Sequence, residues 1–567
     1  MTTGEGQIPL LRVPRTEGDR PHPLVESPRR ARGWIGELPL ADPARAGTEV
    51  LRALGESNRR PARPGDRLRF VLLLEPVLGD LGAALLRRLR EGGGRDRLLA
   101  LCGALHREAA VAYKHAILDH GRAGLLGRLS RGALALAHCG AVGHLAEVLV
   151  SACRAYHPCP AGLWLELNQL LLNAEGLAIA ARRPDVPATL PPTPADGYRR
   201  AALLHLASPW QLSLEELQWV WALAGALAPR CLLLDERRAD ERDGLFMVDL
   251  LADAPPQPLP APTQTLGPFQ RLLDTRPLVG RLRQENGSLE ALAGPLPTAR
   301  EELLARLVRA WSSAARRGFS RSRSDQAMEI VLGLSAVHAA LAPDDAPRGP
   351  SPHGIELDVL SEDRPRDPGE YLFDPEADDV WSRVYGLPAQ ARTDPAPRPA
   401  PPRPAPATAR AVDESAGGYC FELTAGDRGG ELRIGEVCAL RREPAAVEWT
   451  IGMVRWVRRE DDARTRFGVQ LIAPSAVAAT VRERSGEGAR ACRALLLPPL
   501  PALAQPASLV LPARLFRSGE HVTVDAGGEP VPARLGRRLE GGRLYARFEL
   551  ERGRGGGEAA PGRAVGD

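Results

Sequence analysis

The sequence predicts a multidomain α + β protein: an all-α helical N-terminal region, then an antiparallel β-barrel with a long disordered insertion, then an additional small β segment. Three observations predict it. Leu and Ala recur at helical spacing through residues 34–313, broken by Gly and Pro at intervals suited to helix connections. From residue 411 onward, short runs of β-branched and apolar residues alternate with turns. Between them, residues 343–408 are acidic and then rich in Pro and Ala, a composition that favours extended polyproline conformations and cannot bury a core. With 567 residues the chain is too long for a single core.

Taken in order, residues 1–33 are rich in Pro, Arg and Glu with little periodicity and read as a disordered leader. Within 34–313, Ser213-Leu214-Glu215-Glu216 spells a capping box, after which Leu214, Leu217, Trp221 and Ala224 share one helical face. Another helix starts near Thr275, with Pro277 suited to its first turn. The run Phe246-Met247-Val248-Asp249-Leu250 interrupts the pattern as a short strand or a buried loop. Residues 327–332 read as a strand and 335–341 as a short helix. Further strands at 418–423, 435–440, 447–457 and 466–472 complete a small barrel within 314–484. Four more runs, at 507–511, 521–525, 531–535 and 543–550, place a second β segment in 490–552, either a separate small domain or an extension of the barrel. Residues 553–567 form a flexible Gly-rich tail.

Basic residues number 74 against 70 acidic, a net charge of +4, so no global field is available to hold nucleic acid or a membrane surface. Any anion binding must be local, and it falls to arginine, since Lys114 is the single lysine. The eight cysteines are scattered without CxxC pairs, and the first residues lack a basic stretch followed by an apolar core, so a cytoplasmic setting is expected. Residues 133–152 are the most membrane-like, yet they carry His138, His144 and Glu147, which favours a buried helix over a membrane span. Cys102 with His106, and Cys153 with His157 and Cys159, have a spacing that can hold zinc, but no second matched pair completes a tetrahedral set, and buried structural cysteines are expected. Trp210, Trp219, Trp221 and Trp311 are expected to pack in the core. No Gly-Lys pair surrounds Lys114, and HExxH and GxSxG do not occur. Glu290-Ala291-Leu292 is a chance match in an Ala/Leu-rich helix, so no enzyme and no metal or other cofactor is expected.

Two distant segments carry the candidate chemistry. Arg316-Arg317-Gly318-Phe319-Ser320-Arg321 contains RxxxR, and Asp413-Glu414-Ser415-Ala416-Gly417-Gly418 spells DxSxxG. The planar fork of arginine pairs bidentately with phosphate or with a guanine edge, and it stacks on the base. A carboxylate accepts from guanine N1 and N2, a serine hydroxyl bridges to phosphate, and glycine permits close backbone approach. Taken alone, each segment has a plainer reading, as a solvated charge run in an arginine-rich chain and as an Asx-type turn.

In order along the chain, these segments resemble the PilZ domain, a bacterial receptor for cyclic di-GMP. Arg317 to Arg321 leading into a strand near Ala327 looks like the opening of that domain, and Asp413, Ser415 and Gly418 running into Tyr419 look like its later turn. Trp449-Thr450-Ile451-Gly452-Met453-Val454-Arg455-Trp456 followed by Phe467-Gly468-Val469-Gln470-Leu471 is similar to its next hairpin. The departure is the long insertion, which a barrel tolerates because loop-closure cost grows only logarithmically with length. The whole chain is similar to proteobacterial PilZ proteins with a long helical N-terminal region. The resemblance implies a cyclic di-GMP site of Arg316, Arg317, Arg321, Asp413, Ser415 and Gly418. It also implies output through protein partners that it does not name, in motility, pili, exopolysaccharide or virulence. The alternative is a scaffold or chaperone-like interaction protein whose degenerate barrel binds no nucleotide; a weaker one is a hydrolase site within the helical region.

Overall fold

A computed structural model describes residues 11–89, 95–124, 127–235, 243–259, 266–284, 289–294, 300–312, 320–342, 405–424, 432–442, 448–461, 463–484, 490–501, 504–542 and 544–552. The N-terminal unit is built from α1 (Pro23–Glu26), α2 (Pro28–Gly36), α3 (Pro43–Asn58), α4 (Pro64–Arg88), α5 (Arg95–Arg122), α6 (Arg131–Arg154), α7 (Leu163–Gly176), α8 (Pro194–Leu206) and α9 (Leu214–Leu227). Several begin on proline, whose fixed φ suits a first turn and whose missing N–H has no partner to lose there. Side chains of Ser27, Asp42 and Thr193 cap the next free amides. At α9 both capping-box bonds form, from the Ser213 amide to Glu216 Oε2 at 2.8 Å and from the Glu216 amide to Ser213 Oγ at 3.3 Å.

Two expectations for this half need correction. The leader expected at 1–33 is structured from residue 11 on: α1 and α2 form, Leu11, Val25 and Ala31 join the helical core, and Lys114 Nζ donates to the Arg12 carbonyl at 2.8 Å. These helices have 4 and 9 residues, too few turns for a periodic apolar face to show. The all-α expectation for 34–313 is interrupted by a four-stranded antiparallel sheet of β1 (Leu232–Leu234), β2 (Leu245–Asp249), β3 (Gln257–Pro258) and β4 (Gln270–Asp274), in the order β1-β4-β2-β3. The run at 246–250 is therefore a strand and its end. After the sheet come α10 (Arg276–Gln284), α11 (Leu289–Ala293) and α12 (Arg300–Ser312).

The helix α6 is long and apolar enough to cross a membrane, with mean hydropathy 1.6, but 78% of that window is buried inside the protein. Two of its polar side chains are matched there. His138 bonds the Leu134 carbonyl and Asn173 Oδ1, each at 2.8 Å, and Glu147 accepts from Trp221 Nε1 at 2.9 Å.

The first barrel consists of β5 (Ser322–Leu332), β6 (Ala407–Ser415), β7 (Gly418–Thr424), β8 (Val437–Arg441), β9 (Thr450–Arg459) and β10 (Arg464–Ala473), closed in the order β10-β7-β6-β5-β8-β9. Ala407, Ala409 and Ala411 fill its interior together with Phe421 and Phe467, whose rings stack at 5.4 Å. Each buried phenyl contributes about 1.5–3 kcal/mol. Of the expected insertion at 343–408, residues 343–404 lie outside the described residues, and Ala407 onward is barrel strand. The 553–567 tail also lies outside them.

A second closed six-stranded barrel follows, made of β11 (Val477–Glu483), β12 (Ala491–Leu497), β13 (Ser508–Pro512), β14 (His521–Asp525), β15 (Val531–Gly541) and β16 (Tyr545–Arg552). This resolves the open choice at 490–552 in favour of a separate barrel. It also moves β11, expected inside 314–484, to the second barrel, where it pairs with β12 and β14.

A short helix, α13 (Leu334–Leu341), lies between the barrels, and one apolar cluster joins Val337 to Val437 and Met453 of the first and Leu495, Val510 and Tyr545 of the second. The helical unit meets the first barrel through Tyr156, a left-handed residue (φ 57°) just past α6 whose ring belongs to the barrel's apolar cluster. Its carbonyl accepts from the Arg459 amide at 2.8 Å, and Arg459 Nη1 pairs with Asp96 at 2.6 Å.

Candidate functional site

Arg321 immediately precedes β5, and antiparallel pairing of β5 with β6 sets Ser322 opposite Glu414 and Arg323 opposite Asp413. Along β6 the register to β7 slips by one residue between Ala411 and Asp413, so Asp413 stands opposite Cys420. Such a bulge re-aims a side chain, here placing a carboxylate outside the barrel beside the arginine. Arg321 Nη1 lies 3.2 Å from Asp413 Oδ1 and 3.3 Å from Oδ2, with 45% and 27% of the two side chains exposed. The pair closes a separation of 92 residues in the chain.

Ser415 ends β6 and its Oγ donates to the Gly418 carbonyl at 3.2 Å, tightening the turn into β7. Gly418 is required by proximity: a Cβ there would stand 2.0 Å from the Val469 carbonyl oxygen of β10. Arg321, Asp413, Ser415 and Gly418 thus lie around one end of the barrel, at the start of β5 and the turn between β6 and β7. Arg316 and Arg317 lie outside the described residues.

The surrounding outer face adds groups that motif reading missed. Arg323, exposed, has no hydrogen-bond or ion-pair partner among the described residues. Arg410 pairs with Asp325 at 3.1 Å and Glu422 at 2.7 Å, and Arg466 pairs with Glu422 at 3.1 Å. Arg442 Nη2 donates to the Tyr419 hydroxyl at 2.8 Å. The hydrogen bond from Arg410 is the chief cause that holds the Glu422 carboxyl below its ordinary value, and burial pushes the Cys420 thiol up to about 11. The signal for Arg410 was the alternation Ala407-Thr408-Ala409-Arg410-Ala411, small inside and polar outside, hidden within a Pro/Ala-rich composition. Chemically the edge offers cationic forks, the Asp413 carboxylate and a close-approach turn, a set suited to a phosphorylated guanine ligand.

The Cys/His spacings do not gather elsewhere: among the described residues no group of three or more His, Cys, Asp and Glu could hold a metal ion. Burial pushes the Cys102 thiol up to about 11 and the Cys159 thiol up to about 12, as expected of packed thiols.

A closed barrel led in by arginine, whose second and third strands join through Asp413, Ser415 and Gly418, defines a PilZ-type barrel, here set between a helical unit and a second barrel. A family model described as the middle PilZ domain of the cyclic-di-GMP receptor FimW matches residues 245–346 and 388–477. Models of the FimW N-terminal domain and C-terminal beta-barrel domain match residues 29–238 and 477–552. The chain carries a PilZ domain within this three-part arrangement. The cyclic-di-GMP receptor FimW of Pseudomonas aeruginosa is 27% identical to it over 593 aligned positions, covering 96% of this chain and 94% of that protein. The middle match begins at residue 245 and so takes in β2 to β4, earlier than the boundary at 314 expected from periodicity. The C-terminal match begins with β11, in line with the second barrel.

Proposed function

We propose that this chain is a non-enzymatic cyclic di-GMP effector that signals through protein contacts from a cytoplasmic setting. The observation that carries the reading is the exposed Arg321–Asp413 pair at the barrel edge. The carboxylate holds the guanidinium fork in position before ligand arrives, which lowers the ordering cost of binding. In the bound state Arg321 and the neighbouring Arg323 pair with phosphate or guanine acceptors, with Arg316 and Arg317 adding cations from the same segment. Asp413 accepts from a guanine N–H edge, Ser415 bridges to phosphate, and the Gly417-Gly418 turn lets the ligand approach the backbone.

The 27% identity to a protein named as a cyclic-di-GMP receptor supports the same ligand. Equilibrium binding of radiolabelled cyclic di-GMP to the full chain tests the reading. Saturable binding displaced by unlabelled cyclic di-GMP, and not by GMP or cyclic AMP, is expected. Absence of saturable binding overturns the effector reading in favour of a scaffold whose barrel serves protein contacts alone.

A further inference from the structure

A cavity of about 660 Å³ opens along α5 in the helical unit, away from the barrel edge. Its floor is one face of α5: Leu99, Ala100, Gly103 and Ala104, spaced as neighbours on a helix surface. Helix α3 lines one side, and the end of α6 with His157 and Pro158 lines the other. From Asp96 to Glu108 the floor runs 12 residues, roughly 18 Å or three helical turns at ~1.5 Å per residue. A floor of Gly and Ala lets a second helix backbone approach closely.

The polar groups around it are unequally matched. The carboxylates are engaged: Glu56 with His22 at 3.6 Å, Asp96 with Arg459 at 2.6 Å, and Glu108 with the Asn58 amide at 2.8 Å. Arg52 and Arg107, both exposed on the rim, have no hydrogen-bond or ion-pair partner among the described residues. Ser151, which also lines the cavity, is 4% exposed, and its hydroxyl has no hydrogen-bond partner. Such an orphaned buried hydroxyl is costly until something supplies a partner.

We propose that this groove is a docking site for an amphipathic helix of a partner protein, with small apolar side chains against Ala100, Gly103 and Ala104 and flanking Asp or Glu side chains on Arg52 and Arg107. The groove wall continues into Tyr156, which is seated in the PilZ barrel, so a helix held here lies against the element that joins the two units. The proposal deepens the effector reading by naming the chemistry of its partner.

The test is made without nucleotide, so its failure leaves cyclic di-GMP binding untouched. A phage-displayed library of helical peptides, with an Ala/Leu face fixed and the flanking positions randomised, is selected on the full chain. Recovered peptides are expected to carry Asp or Glu at the flanks. One synthesised, labelled peptide is then titrated by fluorescence anisotropy against wild type, the Arg52→Glu/Arg107→Glu double variant and Gly103→Leu. Binding is expected to weaken at least about tenfold in both variants, roughly 1.4 kcal/mol or more. A Cβ at Gly103 meets only Ser151 Cβ at 3.6 Å, an ordinary van der Waals contact, the double variant is confined to exposed side chains, and thermal unfolding of each variant checks that the helices stay packed. Recovery of peptides without acidic flanks, or affinity unchanged in both variants, overturns the proposal. So does concentration-dependent self-association of the free chain that the double variant abolishes, since the groove would then belong to a second copy.

Discussion

Arg321 and Gly418 belong to one motif set but carry different burdens. The Arg321–Asp413 pair is exposed, and such pairs contribute about 0–1 kcal/mol to stability. Gly418 is held against β10, where an added methyl would collide with the Val469 carbonyl, and a forced separation of strands costs about 1–3 kcal/mol. Thermal unfolding followed by circular dichroism is expected to leave Arg321→Ala at the wild-type midpoint and to lower that of Gly418→Ala by several degrees; equal midpoints for both would contradict this division. The motif residues were legible because their types and spacing match a chemistry. Arg323 and Arg442 were not, since a lone arginine in an arginine-rich chain gains meaning only from the strand face it shares.

Within single elements, local signals succeeded where they were strong. The capping box of α9 and the runs that became β7 and β14 could be read directly. Strand β6 was hidden because its alternating alanines continue the composition of the Pro/Ala-rich stretch before it. Of the small sheet, β2 showed only as a run that read equally as a strand or a buried loop, and β1, β3 and β4, with 2 to 5 residues each, left no alternation to read.

The helices bury a polar chain that composition never revealed. Glu75 of α4 accepts from the Tyr113 hydroxyl at 2.7 Å and from Thr189 Oγ1 at 3.0 Å, and it lies 2.8 Å from His144 Nε2. His144 Nδ1 in turn stands 2.9 Å from His106 Nδ1. Burial, reinforced by His144, lowers the His106 pKa to about 4, and burial likewise takes His115 and His205 to about 4.

Unfolded, these rings titrate near 6.5, so between that value and about 4 the unfolded chain binds more protons than the folded one. The stability that comes from keeping these rings neutral is therefore fully present above pH 6.5 and lost as pH falls toward 4, at up to about 1.4 kcal/mol per pH unit for each ring. Denaturant midpoints measured between pH 7.5 and 4.5 are expected to fall. His106→Gln is expected to flatten part of the slope, and a pH-independent midpoint would show that these rings are not held neutral.

For the whole molecule, the contacts that join the three units include Tyr156 in the first barrel's cluster, and α13 with Tyr545 between the barrels, where the Tyr545 hydroxyl donates to Met453 Sδ at 2.9 Å. None of these joins has a local signature, since each pairs residues far apart in the chain, whereas the sequential arrangement of helices, barrel and second β segment does. Arg321 follows α12 in the chain and lies on the barrel whose apolar cluster takes in Tyr156 of the helical unit. The most direct test is isothermal titration calorimetry of the full chain with cyclic di-GMP, wild type against Arg321→Ala. Saturable heat for wild type with affinity at least about tenfold weaker in the variant, roughly 1.4 kcal/mol, is expected. Equal affinity in the two folded proteins would contradict the assignment of the site to the Arg321–Asp413 edge.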